Sequence, residues 1–252
     1  MHQPLVGLLT LPSVPGLDVA GIVTQSPGDR VYYHGNLRNP HGGLADYAVV
    51  SAHTVARVPE SVSFAAAAAV PCAGFTAYQA LHRKLHLATI AGLKPIIATC
   101  SASNVDYVRA LGANEVIDYT SENVVERVLA ITDGVGVDCA VDCVSGESAT
   151  SLLPAIAFNG GIVTIVGEVQ GAVPEQGRAI SVHGLALGGA YGSPKRFKDQ
   201  QDLKTMADEM MSLLAAGRIA PTVCKQVGLA DVPQALRDLE TRRIVGKMVV
   251  VP

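Results

Sequence analysis

The sequence has little charge and no basic cluster. Only 16% of its 252 residues are charged, and the formal net charge is −3. Because Lys and Arg are scattered along the chain, nothing favours a nucleic-acid partner. No apolar run approaches the roughly 18–20 residues of a membrane span, and the first residues, MHQPLVGLLTLPSVPG, lack the basic segment of a signal peptide. With 49% hydrophobic residues, the composition predicts one large or two small globular domains.

Cysteine is also scarce. Of the five cysteines only Cys139 and Cys143 lie close together, in the strand-like stretch VDCAVDCVSG. No second Cys/His pair completes a set of zinc ligands around them. We therefore interpret the cysteines as small buried hydrophobic residues in a reducing compartment, and we expect a cytoplasmic protein without nucleic-acid or membrane partners.

The chain changes character near residue 63. Up to about residue 78, short β-rich runs such as DVAGIV, DRVYYHG and LADYAVV are broken by Gly, Pro, Asn and Asp. SFAAAAAVPCAGFTAYQALHRKL then predicts two helices interrupted at Pro71. Beyond residue 88, near-continuous apolar strands alternate with amphipathic helices. This alternation predicts an α/β fold with a parallel sheet covered on both faces.

The alternating part reads as a series of elements. The predicted strands are PIIATC, NEVIDY, GVDCAVDCV, GIVTIVG and SVHGLALGGAYG, and the predicted helices are SNVDYVRALG, SENVVERVLAIT with Ser121 as N-cap, and ESATSLLPAIAFNG. The last section predicts a long helix, QDLKTMADEMMSLLAAGRI, then the strand PTVCKQVGL, the helix ADVPQALRDLETRR and the strand GKMVVVP.

One expected motif is missing. A dinucleotide-binding unit places a G-x-G-x-x-G turn after its first strand, where backbone N–H groups and the helix that follows hold the pyrophosphate. No glycine cluster of this chain both follows a predicted strand and opens a helix. The segment 88–93 reads as the end of a helix that runs into PIIATC, yet neither a strand nor a glycine-rich turn precedes it.

The next part of such a site is present. After the strand PIIATC the chain continues with Ser101, Ser103 and Asn104 and offers no carboxylate. An acidic residue there binds the ribose 2′-hydroxyl of NAD, and its absence leaves room for the 2′-phosphate of NADP. With Arg109 further along the next helix, the stretch favours NADP if a dinucleotide binds. The alternative is that Ser103 or Asn104 merely caps that helix.

Seven stretches, in order and spanning nearly the whole chain, resemble the medium-chain dehydrogenase/reductase superfamily, and most closely its zinc-independent quinone oxidoreductase-like branch. The stretches are VPGLDVAGIV, GDRVYYHGNLRNPHGGLADYAVV, AAAAVPCAGFTAYQAL, LGANEVIDY, GVDCAVDCVSG, GGIVTIVG and VGKMVVV.

The resemblance implies two domains. Residues 1–78 and 195–252 correspond to an incomplete GroES-like β domain, and residues 79–194 to a Rossmann domain whose doubly wound parallel sheet lacks its first strand and Gly-rich turn. It also implies a small-molecule substrate and a homodimer, with a hydride passing from NADPH to a quinone or an activated carbonyl or alkene.

The resemblance bears on zinc as well. Zinc-dependent alcohol dehydrogenases carry a ligand histidine where this chain has Leu17, and Cys72 matches another of their ligands. Because leucine cannot bind a metal and a lone cysteine is no site, we expect no zinc. His34 and His41 flank the loop GNLRNP but lack a ligand partner at suitable spacing.

The remaining site residues are carried over from the family. Thr76 matches a threonine that faces the cofactor, although a helical threonine bonded to its own backbone is equally plausible. Tyr119 matches a residue near the adenosine phosphate, and Asn104 stands where relatives often have a phosphate-binding lysine. The predicted cofactor-binding set is Thr76, Ser101, Ser103, Asn104, Tyr119, Gly167, Gly188, Gly189 and Lys247. No catalytic residue is assigned.

Three departures from the family pattern leave two further hypotheses. The opening strands, a hairpin near AGIVTQSPGDRV and the phosphate turn before ATIAGLK have no counterpart. A lost turn removes pyrophosphate donors worth roughly 1.5–3 kcal/mol each. The alternative to an NADPH-dependent reductase is therefore a truncated, non-catalytic relative, and the second alternative is a zinc-type alcohol dehydrogenase.

Overall fold

The computed structural model describes residues 12–25, 28–87, 95–171, 177–193, 195–241 and 243–252. The predicted helix end at 88–93 lies outside these residues. The chain divides into two compact units, unit 1 with residues 1–78 and 187–252, and unit 2 with residues 79–186. Among the described residues, no helix is both long and apolar enough to cross a membrane.

Unit 1 contains two small sheets. Strands β1 (Asp18–Ile22), β2 (Arg30–His34) and β3 (Ala56–Arg57) form an antiparallel sheet in that order. Strands β9 (Val223–Gly228) and β10 (Lys247–Val251) pair in parallel.

The helices of unit 1 follow the sequence pattern. Helices α1 (Phe64–Ala68) and α2 (Pro71–Tyr78) are separated before Pro71, as predicted, because proline fits the first turn of a helix but not its interior. The Ser63 hydroxyl caps α1 by accepting from the Ala66 N–H at 3.2 Å. The later helices are α6 (Phe197–Ala215) and α7 (Val232–Glu240), with 3₁₀ turns at Ala52–Thr54, Leu187–Tyr191 and Leu229–Asp231.

The core of unit 1 forms where β2 meets α2 and α6. Tyr32 and Phe75 are fully buried and make an edge-to-face ring contact with centroids 6.2 Å apart. The Tyr32 hydroxyl donates to the Ala207 carbonyl at 2.5 Å, so the one polar atom of this ring is satisfied inside the core. Because side chains alternate along a strand, Tyr33 faces away from this core.

Unit 2 is the alternating part. Its strands are β4 (Ile97–Cys100), β5 (Glu115–Asp118), β6 (Val137–Asp142), β7 (Ile156–Thr164) and β8 (Ser181–Gly184). Its helices are α3 (Val105–Ala110), α4 (Val124–Ile131) and α5 (Gly146–Leu152), with a π-helical turn at Gln79–Lys84 and 3₁₀ turns at Ala102–Asn104 and Leu153–Ala155.

Among the described residues of unit 2 every strand pairing is parallel, but the strands form two separate sheets instead of one. β4 pairs with β5, while β6, β7 and β8 pair in that order. If β4 to β8 are strands 2 to 6 of the doubly wound order 3-2-1-4-5-6, the break falls at the position of strand 1. This agrees with the predicted loss of the first strand.

The two sheets of unit 2 contribute side chains to one shared apolar cluster. Its buried members are Ile117, Val128 and Ala155, and Ile97 of β4 and Val137 of β6 pack against it. The packing of α4 therefore holds β4 and β6 in one unit although no described backbone ladder joins them.

Several predicted elements were wrong in detail. The N-cap of α4 is Asn123, whose Oδ1 accepts from the Val125 and Glu126 N–H groups at 3.1 and 3.3 Å, and not Ser121. The helix predicted over 147–160 ends by residue 155, because Pro154 stops the α-helical pattern and β7 begins at Ile156.

Two predicted strands are shorter or absent. LADYAVV, residues 44–50, is not a strand: these residues pair with no other strand, and the Leu44 N–H donates to the Pro15 carbonyl of a loop at 2.9 Å. The strand predicted over SVHGLALGGAYG ends at Gly184. The sequence predicts that Gly188 and Gly189 lie at the end of this strand. This prediction is wrong, because both glycines lie in the 3₁₀ turn Leu187–Tyr191.

Candidate functional site

Three predicted site residues meet directly after β4. The hydroxyl oxygens of Ser101 and Ser103 are 3.2 Å apart, and the Asn104 Nδ2 donates to the Ser101 Oγ at 3.5 Å. Asn104 occupies the N-cap position of α3 but makes no side-chain capping bond. The three side chains thus contact one another at the carboxyl end of a parallel strand, where ligands bind in open α/β sheets.

Asp118 lies beside this group. It ends β5 and pairs in register with Cys100, the last residue of β4. Its Oδ1 accepts from the N–H and hydroxyl of Thr120 at 3.0 and 2.7 Å, and its Oδ2 accepts from the Ser121 hydroxyl at 3.2 Å. The bonds from Thr120, then from Ser121 and the Ala102 N–H, hold the pKa of Asp118 below its usual range. The sequence does not predict a carboxylate beside Ser101, because Asp118 ends a different strand.

Tyr119 reaches the same edge of the sheet. Its N–H donates to the Cys100 carbonyl at 3.2 Å, which joins the ends of β5 and β4. Its side chain is 58% exposed, so the ring is available to a ligand at this edge. The structure therefore brings Ser101, Ser103, Asn104 and Tyr119 together.

Gly167 follows β7 and approaches the start of α5. Its φ is +79°, and a Cβ at this position would lie 2.9 Å from the Gly146 nitrogen. Only glycine has both the conformational freedom and the small size for this close approach. Gly167 thus has a structural role of its own, whether or not a cofactor passes near it.

These features fit the adenosine end of a dinucleotide. The hydroxyl and amide groups after β4 suit a ribose or its 2′-phosphate, and the exposed Tyr119 is bonded through its backbone to Cys100, the last residue of that strand. A G-x-G-x-x-G turn, which would hold the pyrophosphate, has no counterpart among the described residues.

The other predicted cofactor residues belong to unit 1. Thr76 is half-buried in α2, and Gly188 and Gly189 lie in a 3₁₀ turn. The Gly189 carbonyl accepts from the Arg196 guanidinium at 2.9 Å. Lys247 begins β10, and its N–H donates to the Thr222 carbonyl at 2.7 Å. The structure groups none of these four with the Ser101 cluster in one unit.

The sequence analysis missed a buried polar group in unit 1. Asp18 and His34 are directly opposite in the ladder of β1 and β2, and the Asp18 Oδ2 accepts from the Cys72 N–H at 3.1 Å. Burial raises the pKa of Asp18, which the His34 charge opposes, and burial lowers the pKa of His34. Lys247 lies near enough to Asp18 and Cys72 to affect both groups. Only strand register reveals this arrangement.

Unit 1 also contains a cavity of about 550 Å³. Tyr33, Tyr191 and Gln200 contribute to its wall, together with backbone at Gly16 and Gly35. A volume of this size is typical of small-molecule sites, which span roughly 300–1,000 Å³. No motif pointed to it, because its wall combines residues distant in sequence.

Comparison with known proteins identifies the family. The sequence profile of zinc-binding dehydrogenases matches residues 111–250, more than half of the chain. The chain belongs to the medium-chain dehydrogenase/reductase superfamily. Within it the chain falls in the quinone oxidoreductase branch. It is 28% identical to a quinone oxidoreductase-like protein 2 homolog of Nematostella vectensis, over 95% of this chain and 73% of that protein.

Solved members of the superfamily share the fold. A quinone oxidoreductase of Pseudomonas syringae pv. Tomato superimposes with a TM-score of 0.77 and 28% identity, covering 96% of this chain and 83% of the other. Escherichia coli quinone oxidoreductase, solved as a complex with NADPH, gives a TM-score of 0.75 at 23% identity, with coverage of 96% and 83%. These proteins combine GroES-like and Rossmann domains, and this chain is shorter than they are.

The family whose profile matches this chain is described as zinc-binding. Among the described residues, no group of three or more His, Cys, Asp or Glu side chains is placed to hold a metal ion. Burial, followed by the nearby Asp18 charge, raises the pKa of the Cys72 thiol.

Proposed function

We propose that the chain is an NADPH-dependent, zinc-independent oxidoreductase that delivers a hydride to a quinone or to an activated carbonyl or alkene. The observation that carries this proposal is the contact of Ser101, Ser103 and Asn104 after β4, in a stretch without a carboxylate. The quinone oxidoreductase-like relatives support an NAD(P)-dependent oxidoreductase, and the Escherichia coli relative solved with NADPH supports the choice of cofactor.

The residues of this chain would bind and orient the cofactor, which supplies the hydride when bound. Ser101 and Ser103 donate hydroxyl hydrogen bonds at the ribose side, and Asn104 contributes its amide. Tyr119 offers an exposed ring at the same edge. The family resemblance also implies that Thr76, Gly167, Gly188, Gly189 and Lys247 bind the cofactor, and we propose them as binding residues.

The second candidate function is that of a truncated, non-catalytic relative. The observation that favours it is the break between β4 and β6, which leaves the described strands in two small sheets where the doubly wound fold has one continuous sheet. A zinc-type alcohol dehydrogenase remains the third candidate, and Leu17 in place of a ligand histidine argues against it.

One titration separates the first two candidates. Purified protein is titrated with NADPH while the fluorescence of the reduced nicotinamide is followed, and NADH is titrated in parallel. Saturation at micromolar NADPH supports the reductase, whereas no saturation up to millimolar NADPH refutes it.

Two serine variants assign the binding site. Ser103→Ala removes a hydroxyl of the proposed site and should weaken NADPH binding roughly tenfold, the loss expected for a hydrogen bond to a charged group. Ser151→Ala removes an exposed hydroxyl on α5 that donates to the Ser148 carbonyl at 2.7 Å, and should leave binding unchanged. Equal affinities of the two variants would place the phosphate elsewhere.

The assembly and location follow from the same proposal. We propose that the chain forms a homodimer, as the family resemblance implies. We also propose that it is located in the cytoplasm, and the unpaired cysteines at positions 72, 100, 139, 143 and 224 support a reducing compartment. Sedimentation equilibrium of the purified chain measures the first, and imaging of a tagged chain measures the second. A monomer, or import into an organelle, would overturn the respective assignment.

A further inference from the structure

One asparagine of unit 2 is followed directly by glycine. The chain has six asparagines, at positions 36, 39, 104, 114, 123 and 159, and only Asn159 precedes a glycine. Because Gly160 has no side chain, nothing on its Cα hinders the approach of the Asn159 carboxamide to the Gly160 nitrogen. A reaction between two such neighbours is intramolecular, and proximity favours it strongly. The pair therefore combines an electrophilic carbon with a backbone nucleophile next to it.

The structure leaves the Asn159 side chain unengaged. Asn159 is exposed and has a φ of +60°, a left-handed conformation that asparagine tolerates better than most residues. Its backbone N–H donates to the Arg178 carbonyl at 2.8 Å, which anchors the main chain at this point. Its carboxamide makes no hydrogen bond to any described residue. The carboxamide is therefore free to turn towards the Gly160 nitrogen.

The other five asparagines differ from Asn159 in two ways. Each of their side chains is hydrogen-bonded. The Oδ1 atoms of Asn36, Asn39, Asn114 and Asn123 accept from backbone N–H groups at 3.0, 3.1, 2.9 and 3.1 Å, and the Asn104 Nδ2 donates to Ser101 at 3.5 Å. The residues that follow them are Leu37, Pro40, Glu115, Val124 and Val105, all larger than glycine. Both differences disfavour cyclisation at these five positions.

The backbone at Asn159 can accommodate an altered main chain. In the parallel pairing of β6 with β7, Val137 is opposite Ile156 and Cys139 is opposite Gly161. Residues 157–160 of β7 thus form a bulge opposite Asp138 alone. An additional backbone atom at position 159 would lie inside this bulge, so the register from Gly161 onwards would be kept.

We propose that Asn159 deamidates spontaneously in the folded chain. The Gly160 nitrogen loses its proton to hydroxide and attacks the Asn159 Cγ. The bond from Cγ to the amide nitrogen breaks, and ammonia leaves with a proton from water. Water then opens the resulting cyclic imide. Aspartate forms when the ring bond to Cγ breaks, and isoaspartate forms when the ring bond to the main-chain carbonyl carbon breaks. Both products add a negative charge, and neither route requires the cofactor or the function proposed above.

Incubation of the full chain in water labelled with oxygen-18 tests the proposal. Because the oxygen that opens the imide comes from water, a modified residue gains heavy oxygen in place of its amide nitrogen. After incubation in a mildly alkaline buffer, the chain is digested at acidic pH and its peptides are weighed by mass spectrometry. We expect the labelled mass in the peptide that contains Asn159, as two products separated by chromatography, and in none of the peptides with the other asparagines.

Two comparisons make the result specific. Asn159→Gln keeps a carboxamide at the same place but must close a larger ring, so it should gain no label. Gly160 is buried in the folded chain, and the same incubation in urea shows how fast the pair reacts without the fold. An unlabelled Asn159 in the folded chain overturns the proposal, whatever happens in urea. Faster labelling of any other asparagine in the folded chain overturns it as well.

Hydrogen exchange tests the role of the bulge. The amides of residues 161–164 in the modified chain should stay as protected as in the unmodified chain, because the extra backbone atom of isoaspartate lies before Gly161. Loss of their protection would overturn the inference that the bulge absorbs the change.

Discussion

Asp18 and His34 face each other across the antiparallel ladder of β1 and β2, and each keeps one buried atom, Oδ1 and Nδ1, without a hydrogen-bond partner among the described residues. Burial raises the pKa of the carboxyl and lowers the pKa of the imidazole, so desolvation opposes the charge on both groups. Since unpartnered buried polar atoms are costly, this pair makes stability depend on pH.

The first prediction concerns His34→Gln. Because the pKa of His34 is lower in the folded chain than its ordinary value of 6.5, the unfolded chain binds more protons just below pH 6.5. Its stabilising contribution is therefore complete above pH 6.5 and is lost as pH falls through the folded pKa. Urea unfolding between pH 7 and 5 should show a shallower loss of stability in His34→Gln than in the natural chain.

Two comparisons make the pH experiment specific. His41→Gln, which changes an exposed histidine, should keep the natural slope. Asp18 acts in the opposite direction, because its raised pKa gives a contribution that is present below pH 3.8 and lost as pH rises through the folded pKa. Parallel profiles for His34→Gln and the natural chain would contradict the prediction.

The second prediction concerns cofactor choice. The Asp118 carboxylate lies at the end of β5, next to the strand end that carries Ser101, and a 2′-phosphate bound there would meet its negative charge. Asp118→Asn should therefore raise affinity for NADPH relative to NADH by a factor of about two to five, a modest effect because the site is solvated. Parallel titrations with both cofactors measure the ratio.

Ionic strength provides the control for Asp118→Asn. A charge effect at an exposed site shrinks as salt is added, so the gain for NADPH should decline between low salt and roughly 0.5 M, where the Debye length is only a few ångströms. A gain that salt does not change would point to a rearranged loop, since Asp118 also accepts bonds from Thr120 and Ser121.

The third prediction concerns the break in unit 2. In a parallel ladder alternate N–H groups of a strand point to opposite neighbours, so β4 and β6 each direct some amides away from the one strand that pairs with them among the described residues. Those amides should exchange with solvent deuterium much faster than the amides of the same strands that bond to the partner strand. Strand β7, which lies between β6 and β8, is the internal control and should be protected along both edges. Uniform protection of β4 and β6 would mean that another strand fills the gap.

The fourth prediction compares two glycines with positive φ. Gly167 has φ +79° and its Cβ position lies 2.9 Å from the Gly146 nitrogen, whereas Gly171 has φ +75° and nothing within 4 Å. Gly171→Ala should lower the free energy of unfolding by about 1 kcal/mol through backbone strain alone. Gly167→Ala should lower it by roughly 1–3 kcal/mol more, because the backbone at Gly146 must also move. Urea unfolding measures both free energies, and equal losses would exclude the steric contribution.

Much of the fold could be predicted from local pattern. The apolar runs at β4, β6 and β7 and the amphipathic stretch at α6 carry their periodicity in the sequence, and Pro71 marks a helix start by its fixed φ. LADYAVV shows the limit, because a β-rich run forms a strand only where a partner backbone is available. The 3₁₀ turn that contains Gly188 and Gly189 likewise depends on its tertiary surroundings.

The sequence by itself determined the superfamily, the parallel α/β unit and the grouping of Ser101, Ser103 and Asn104, since neighbours in sequence after one strand are also neighbours in space. Only the tertiary structure decided that Asp118 joins that group, that Asp18 faces His34, and that Tyr33 and Tyr191 line one cavity. Each of these depends on strand register or on residues far apart in the chain, and register involves two strands at once, whose apolar faces must both meet the core.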